Sequence, residues 1–147
     1  MEKQIVKCVK RVPTARIPEA KTNGAFGFDI YSAEAYQIAP LAVGTVDTGL
    51  TMEIPVGYAL RIVPRSGLAT RMVTVGNSPG TIDDDYRGPI KVIIYNLKKD
   101  SSIIIEAGDR IAQCYLEKKI PTRFVWVNED ELSETERGVG GFGSTGK

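Results

Sequence analysis

The residues best suited to chemistry lie in one stretch, Gly80-Thr81-Ile82-Asp83-Asp84-Asp85-Tyr86-Arg87-Gly88. It places three carboxylates, an aromatic ring and a guanidinium between two glycines. Because the chain contains no histidine, a general base near neutral pH must be a carboxylate, a lysine, a tyrosine or a cysteine. Taken alone, a run of aspartates is more typical of a solvated turn between strands. The stretch therefore predicts either an acidic turn or a carboxylate that acts as a base.

Three further segments contain groups that could bind anions or each other. Pro64-Arg65-Ser66-Gly67-Leu68-Ala69 puts a guanidinium beside a predicted helix N-terminus, which favours anion binding but is also typical of a simple helix cap. Gly108-Asp109-Arg110-Ile111-Ala112-Gln113 fits a functional loop or an ion-paired turn that enters a strand. Asp29 lies in an apolar run, where a charge requires a partner, an ion or a place at a rim.

The C-terminal segment resembles the beginning of a phosphate-binding P-loop, with the pattern G-x4-G-K from Gly141 to Lys147. We do not expect a P-loop fold, because no Ser or Thr and no helix follow the lysine. The glycine amides, the two hydroxyls and Arg137 still suit a segment that wraps a polyphosphate. Phe142 lies among glycines with no core to fill, so it suits stacking on a flat base. The alternative is a disordered tail without a ligand.

The elements that must position these groups are strands. Apolar runs recur about every eight to twelve residues with Gly and Pro between them, and no long amphipathic helix is evident. This pattern predicts an all-β sandwich, jelly roll or barrel with one short helix. The predicted strands are residues 4–9, 45–54, 58–63, 73–75, 90–95, 102–105, 111–116 and 124–127. The helix is predicted over residues 66–72 with Ser66 as its N-cap. We expect a β domain over 1–127 and a flexible C-terminal arm over 128–147.

Length and charge narrow the class of protein. At 147 residues the chain can bury one core, and its net charge of +1 predicts neither a nucleic-acid nor a membrane-surface partner. The two cysteines, Cys8 and Cys114, have apolar neighbours and are predicted to be reduced core residues. The charged N-terminus is not an apolar signal region. We therefore expect a cytoplasmic protein (nuclear or in the host cytosol if eukaryotic or viral) that is not secreted.

Five segments in order resemble the motif set of the trimeric deoxyuridine triphosphatases (dUTPases). They are residues 26–33, 64–69, 80–88, 108–113 and 137–146, so the resemblance spans nearly the whole chain. It departs slightly in the first motif, with Phe28 where the family commonly has tyrosine and Phe26 where a small residue is common. The resemblance implies a distorted jelly roll or β-sandwich. It also implies a homotrimer in which three chains share each active site, the arm of one chain closing over a site formed by the other two.

The resemblance further implies hydrolysis of dUTP to dUMP and pyrophosphate with Mg²⁺, which limits uracil incorporation into DNA and supplies dUMP for dTMP synthesis. By similarity, Asp83 deprotonates the attacking water and Gln113 helps to hold that water or a phosphate. Asp29 would reach the Mg²⁺–triphosphate through metal-bound water, the metal neutralising charge on the phosphates. Asp84 and Asp85 would be solvent-facing turn residues, and Arg87 a structural or inter-subunit partner.

The remaining implied roles concern binding of the nucleotide. The ring of Tyr86 would pack on the deoxyribose and exclude a 2′-hydroxyl by a steric clash. The phosphates would be contacted by Arg65, Ser66, Gly67, Arg137, Gly143, Ser144 and Thr145. The base would be read or covered by Asn77, Gly80, Thr81, Ile82, Lys91 and Phe142.

Two other functions remain open from the sequence. One is deamination of dCTP, the sister activity on the same fold. The other is a non-catalytic module that binds dUTP and regulates a partner.

Overall fold

The structure, a computed structural model, describes residues 2–146. Within this range the chain forms antiparallel strands, a one-turn helix α1 (Ser66–Ala69) and a 3₁₀ helix (Glu129–Glu131). The strands are β1 (Lys7–Lys10), β2 (Phe28–Tyr31), β3 (Tyr36–Ile38), β4 (Val43–Asp47), β5 (Leu50–Glu53), β6 (Tyr58–Val63), β7 (Val73–Val75), β8 (Gly80–Ile82), β9 (Lys91–Asn96), β10 (Ile103–Ile105) and β11 (Arg110–Lys118). The predicted all-β class with one short helix is confirmed.

The longest predicted strand, residues 45–54, is two strands in the structure. β4 and β5 are separated at Gly49, whose φ of 69° is a left-handed conformation that an extended strand cannot contain. The apolar face predicted for this segment is nevertheless buried, with Val46, Leu50 and Met52 in the core. Alternation therefore predicted the apolar face correctly, although it missed the break between the strands and the burial of Thr51 on the opposite face.

Three other local predictions need correction. The helix ends at Ala69, and its N-cap is Arg65 rather than Ser66, with no side-chain capping bond. Residues 124–127 do not form a strand within the described chain, because no neighbouring strand pairs with them. β2 and β3 were not predicted, since they are short and β2 carries buried side chains without an alternating pattern.

Strand pairing brings the sequence motifs to one sheet. Its strand order is β2-β11-β6-β8, and Gln113 of β11 lies opposite both Asp29 of β2 and Val63 of β6. A second sheet has the order β4-β9-β7, and two-stranded sheets are formed by β1 with β5 and by β3 with β10. Apolar side chains from these sheets form one core, which includes Ile30, Met52 and Ile94. The motif residues are thus attached to a packed framework.

One buried polar side chain organises the loop after β9. The side-chain nitrogen of Asn96 donates to the carbonyls of Ile38, Ala39 and Ser101 at 3.1, 3.1 and 2.9 Å. Its side-chain oxygen accepts from the backbone amide of Lys98 at 3.0 Å.

Both cysteines are free, as predicted, and Cys114 is buried. Within residues 2–146, no helix has the length and apolar character needed to cross a membrane.

Candidate active site

The first group of predicted site residues meets around the Asp29 carboxylate. Asp29 Oδ1 accepts a hydrogen bond from Arg65 Nε at 3.2 Å, and Arg110 Nη1 lies 3.6 Å from Oδ2. Gln113 Nε2 also donates to Asp29 Oδ1, at 3.5 Å. These contacts arise because β2, β11 and β6 are adjacent and in register at this level. We call Asp29, Arg65, Arg110 and Gln113 the Asp29 cluster.

The Asp29 cluster has an excess of positive charge. Asp29 is only 3% exposed, so the prediction that it needs a partner is confirmed. Two guanidiniums face this single carboxylate, and their side chains keep 22% and 37% of their surface in contact with solvent. Such a cluster suits an anion that approaches from solvent. Arg110 was not predicted as a site residue from the sequence. The pattern that pointed to it was the possible ion-paired turn at residues 108–113.

Ser66 and Gly67 lie on the solvent-exposed side of α1, directly after Arg65. A Cβ added at Gly67 would meet no atom within 4 Å, so packing within the chain does not require glycine there. Because the helix has a single turn, its dipole contributes little and Arg65 is the main source of positive potential. The segment is therefore open to a ligand.

The second group lies on residues 73–82, which comprise β7, β8 and the turn between them. We call these residues the β7–β8 segment, because the two strands pair with different sheets, β7 with β9 and β8 with β6. The Asn77 side chain packs over Gly80, where an added Cβ would lie 3.4 Å from Asn77 Nδ2. β8 pairs with β6, Ile82 lying opposite Leu60, and the exposed Asp83 follows directly. The Arg61 side chain of β6 donates to the Thr81 hydroxyl and to the Glu117 carboxylate. Arg61 and Glu117 were not singled out from the sequence, where alternation alone marks them only as surface residues.

Tyr86 is held in one position beside the turn that follows β8. Its hydroxyl donates to the Pro89 carbonyl at 3.1 Å, and the ring folds over Gly88. A Cβ added at Gly88 would lie 2.3 Å from the Tyr86 hydroxyl oxygen, so only glycine permits this close approach. The ring is thereby fixed while it remains 42% exposed.

Asp84 does not face solvent, so that prediction is wrong for this residue. Its side chain is 16% exposed, and Oδ2 accepts hydrogen bonds from the Gly57 amide at 2.9 Å and from Lys119 Nζ at 3.2 Å. These donors hold the pKa of the Asp84 carboxyl below its usual range. Arg87 Nη1 donates to the carbonyls of Asp84 and Tyr86 at 2.8 and 3.0 Å, which agrees with a structural role, while a contact with another subunit stays a prediction. Asp85 is exposed, as expected.

The other predicted binding residues are solvent-exposed. Lys91 lies on β9, opposite Asp47 of β4. Arg137 donates through Nε to the Gly140 carbonyl at 2.7 Å, which closes a small loop near the end of the arm. Phe142 and the residues 143–145 after it are fully or largely exposed. The Phe142 side chain is therefore not covered by any described residue of its own chain.

Within one chain, the Asp29 cluster and the β7–β8 segment are too far apart to hold one triphosphate. Across the sheet, β2, which carries Asp29, is three strand positions away from β8. Along the strands, Asp29 is level with Val63 of β6, whereas Asp83 lies one residue beyond the Ile82–Leu60 pair, which makes a difference of four residues. Three strand spacings of about 4.8 Å and four residues of about 3.3 Å give a separation on the order of 20 Å. The structure thus assembles two partial sites.

The described residues do not form a metal site by themselves. Among residues 2–146, no group of three or more His, Cys, Asp or Glu side chains is placed to hold a metal ion. Asp29 is a single carboxylate beside two guanidiniums, which disfavours direct binding of a bare cation. The donor set fits Mg²⁺ that arrives bound to phosphate oxygens and contacts Asp29 through its water ligands.

Comparison with known proteins gives consistent matches. A family model described as dUTPase matches residues 14–146. The chain is 46% identical over 142 residues to the deoxyuridine 5'-triphosphate nucleotidohydrolase of Helicobacter pylori, covering 96% of each chain. It is 47% identical over 148 residues to the Wolinella succinogenes protein of that name, covering 100% of this chain and 97% of the relative. A solved structure of a Staphylococcus bacteriophage 80alpha dUTPase variant with dUpNHpp superposes with a TM-score of 0.88 at 27% identity, covering 99% of this chain and 100% of that chain.

Proposed function

The chain belongs to the dUTPase family, and on this premise we propose that it hydrolyses dUTP to dUMP and pyrophosphate. The observation that carries the conclusion is the identity of almost half of its residues, along nearly its full length, to relatives named for this activity. The reaction removes dUTP that would otherwise enter DNA as uracil, and it supplies dUMP. It makes the protein a hydrolase of phosphoric anhydrides.

Hydrolysis requires a base, a positioned water and positive charge around the phosphates. Asp83 is the base in this proposal, since it is an exposed carboxylate on a turn that strand pairing and Arg87 hold in place. Gln113 holds the water or a phosphate oxygen, and Arg65, Ser66 and Gly67 contact the phosphates. The excess positive charge of the Asp29 cluster supports this assignment.

The β7–β8 segment selects the substrate in this proposal. Asn77 and the backbone of Gly80, Thr81 and Ile82 read uracil, because cytosine reverses the donor and acceptor at its pairing edge and would leave buried polar groups unpaired. Lys91 would lie near the base pocket by similarity to the family. The fixed ring of Tyr86 leaves no room for a 2′-hydroxyl, so UTP is excluded.

The enzymes of this family use Mg²⁺, which in this proposal is carried to the site on the triphosphate. When bound, it would neutralise phosphate charge and fix the triphosphate conformation. Asp29 would orient the metal's water ligands. The absence of a three-residue ligand group within residues 2–146 supports a metal that enters with the substrate.

We propose that the protein is a homotrimer with shared active sites. The separation of about 20 Å between the two partial sites supports this arrangement, because a second chain can bring its β7–β8 segment to the Asp29 cluster of the first. Residues 119–127 also support the homotrimer, because Phe124 and Trp126 are almost completely exposed in one chain and large exposed apolar side chains are typical of interfaces. Residues 1–127 would form the β domain and 128–147 the arm. In the arm, Arg137 would bind the γ-phosphate, Phe142 would cover uracil, and Gly143, Ser144 and Thr145 would wrap the phosphates.

The other two functions are not favoured. Neither dCTP deamination nor a purely regulatory dUTP-binding role corresponds to the named activity of the relatives. The two free cysteines agree with a reducing compartment, and we propose a cytoplasmic location.

The test measures pyrophosphate release from dUTP, UTP, dTTP and dCTP, together with ammonia release from dCTP. We expect rapid release of pyrophosphate from dUTP alone. Asp83→Asn should bind dUTP and lose turnover by a factor of about 10² to 10⁴, whereas Asp85→Asn in the same turn should remain close to wild type. Equal activity of the two variants would show that Asp83 is not the base, and ammonia release would show a deaminase. Deletion of residues 137–147 should abolish hydrolysis while the fold and oligomer persist.

A further inference from the structure

Asp84 connects three separate segments of the chain. Its Oδ2 accepts from the Gly57 amide, in the turn between β5 and β6, and from Lys119 Nζ, directly after β11. The Gly57 carbonyl in turn accepts from the Lys119 amide at 2.8 Å. The contacts therefore form a closed set, which we call the Asp84 junction. Its members come from sequence positions 57, 84 and 119, so they contact one another only in the folded chain.

The Asp84 junction restrains the proposed base from one side, and the sheet restrains it from the other. Ile82, just before Asp83, pairs with Leu60 of β6. Asp84, just after it, is bound to Gly57, three residues before Leu60 on the same segment. Asp83 is thus a single residue between two points that are both attached to the beginning of β6. The Asp83 carbonyl also accepts from the Tyr86 amide at 3.2 Å, which closes the turn.

The same junction fixes the beginning of the C-terminal segment. β11 ends at Lys118, which lies opposite Tyr58, and Lys119 is the next residue. The amide and ammonium groups of Lys119 both contact the junction, so the chain leaves the sheet there in a defined direction. Residues 120–127 beyond it are exposed. One carboxylate therefore connects the turn that carries Asp83 with the root of the segment that leads to Arg137 and Phe142.

We propose that Asp84 is a positioning residue for the reaction, whose carboxylate fixes Asp83 against the turn before β6 and the end of β11. Asp84 is not assigned as the base, because its two donors lower the pKa of the carboxyl, which makes it a weaker base, and its side chain is only 16% exposed. Small displacements of a catalytic group cost rate more than binding, since the reacting atoms must align within a fraction of an ångström. The catalytic part of this inference rests on the proposed function.

The kinetic test compares Asp84→Ala with Asp85→Ala, which removes the neighbouring exposed carboxylate of the same turn. We expect kcat for dUTP to fall on the order of tenfold in Asp84→Ala while KM changes less than about twofold, because Asp84 contacts no substrate. Asp84→Asn, which keeps an acceptor for the Gly57 amide, should recover part of the rate, and Lys119→Met should lose part of it. A kcat within about twofold of wild type in Asp84→Ala, or an equal loss in Asp85→Ala, would overturn the proposal.

A second measurement does not depend on catalysis. Amide hydrogen exchange of the intact protein should be faster at Gly57 and Tyr86 in Asp84→Ala and unchanged in Asp85→Ala, because only the first variant removes the acceptor at the junction. Unchanged exchange at both amides would show that Asp84 does not hold this turn, and the inference would fail. If the wild-type protein releases no pyrophosphate from dUTP, the proposed function fails, while the exchange result still decides whether the junction restrains Asp83.

Discussion

The Asp29 cluster makes a quantitative prediction about stability. Asp29→Asn removes the carboxylate that pairs with both Arg65 and Arg110, and it keeps a side-chain oxygen that accepts one hydrogen bond. Loss of one member of a buried ion pair costs about 3–5 kcal/mol when the remaining charge cannot reach water. Here the arginine side chains are 22% and 37% exposed, so water partly solvates them in the variant. We therefore expect the free energy of unfolding to fall by about 2–3 kcal/mol.

The assay is urea unfolding at one fixed protomer concentration, because the apparent stability of an oligomer depends on concentration. Glu19→Gln is the matched control. The backbone of Glu19 bridges that of Asp29, yet its carboxylate makes only an exposed contact with Arg16 at 3.9 Å. Its loss should change stability by about 0.5 kcal/mol or less. If Asp29→Asn costs no more than Glu19→Gln, the carboxylate does not hold the cluster together.

Three further predictions concern other parts of the molecule. Gly88→Ala should displace the Tyr86 ring, because the new Cβ would lie 2.3 Å from its hydroxyl oxygen. The ratio of kcat/KM for dUTP to kcat/KM for UTP should then fall about tenfold. An unchanged ratio would contradict the steric role of Tyr86. Asn96→Ala should lower the free energy of unfolding by about 2–4 kcal/mol in urea, because it leaves buried backbone groups unpaired, whereas Asn23→Ala in an exposed loop should have little effect. Burial raises the pKa of the Cys114 thiol to about 12 and also raises that of Cys8, which favours the unreactive thiol form. Iodoacetamide at pH 8 should therefore modify the half-buried Cys8 first and Cys114 only after unfolding, and rapid labelling of Cys114 in the folded protein would contradict its burial.

Local sequence was sufficient wherever the deciding interactions are short in range. Alternation identified the inward-facing residues of β4 and β5, since side chains alternate along any extended strand. The apolar surroundings of Asp29 predicted that it has a partner, because an isolated buried charge is too costly. The five ordered motifs identified the family, which the comparisons confirm. The roles of Asp83 and of the binding residues remain predictions for experiment.

Tertiary structure decided which distant groups meet. The sequence showed three adjacent aspartates but could not distinguish Asp84, because Gly57 and Lys119 come to it only through the pairing of β11, β6 and β8. It could not show that Arg110 contacts Asp29, since that contact depends on the register between β2 and β11. The separation of the β7–β8 segment from the Asp29 cluster likewise follows from strand order, a non-local property that no local pattern of residues encodes.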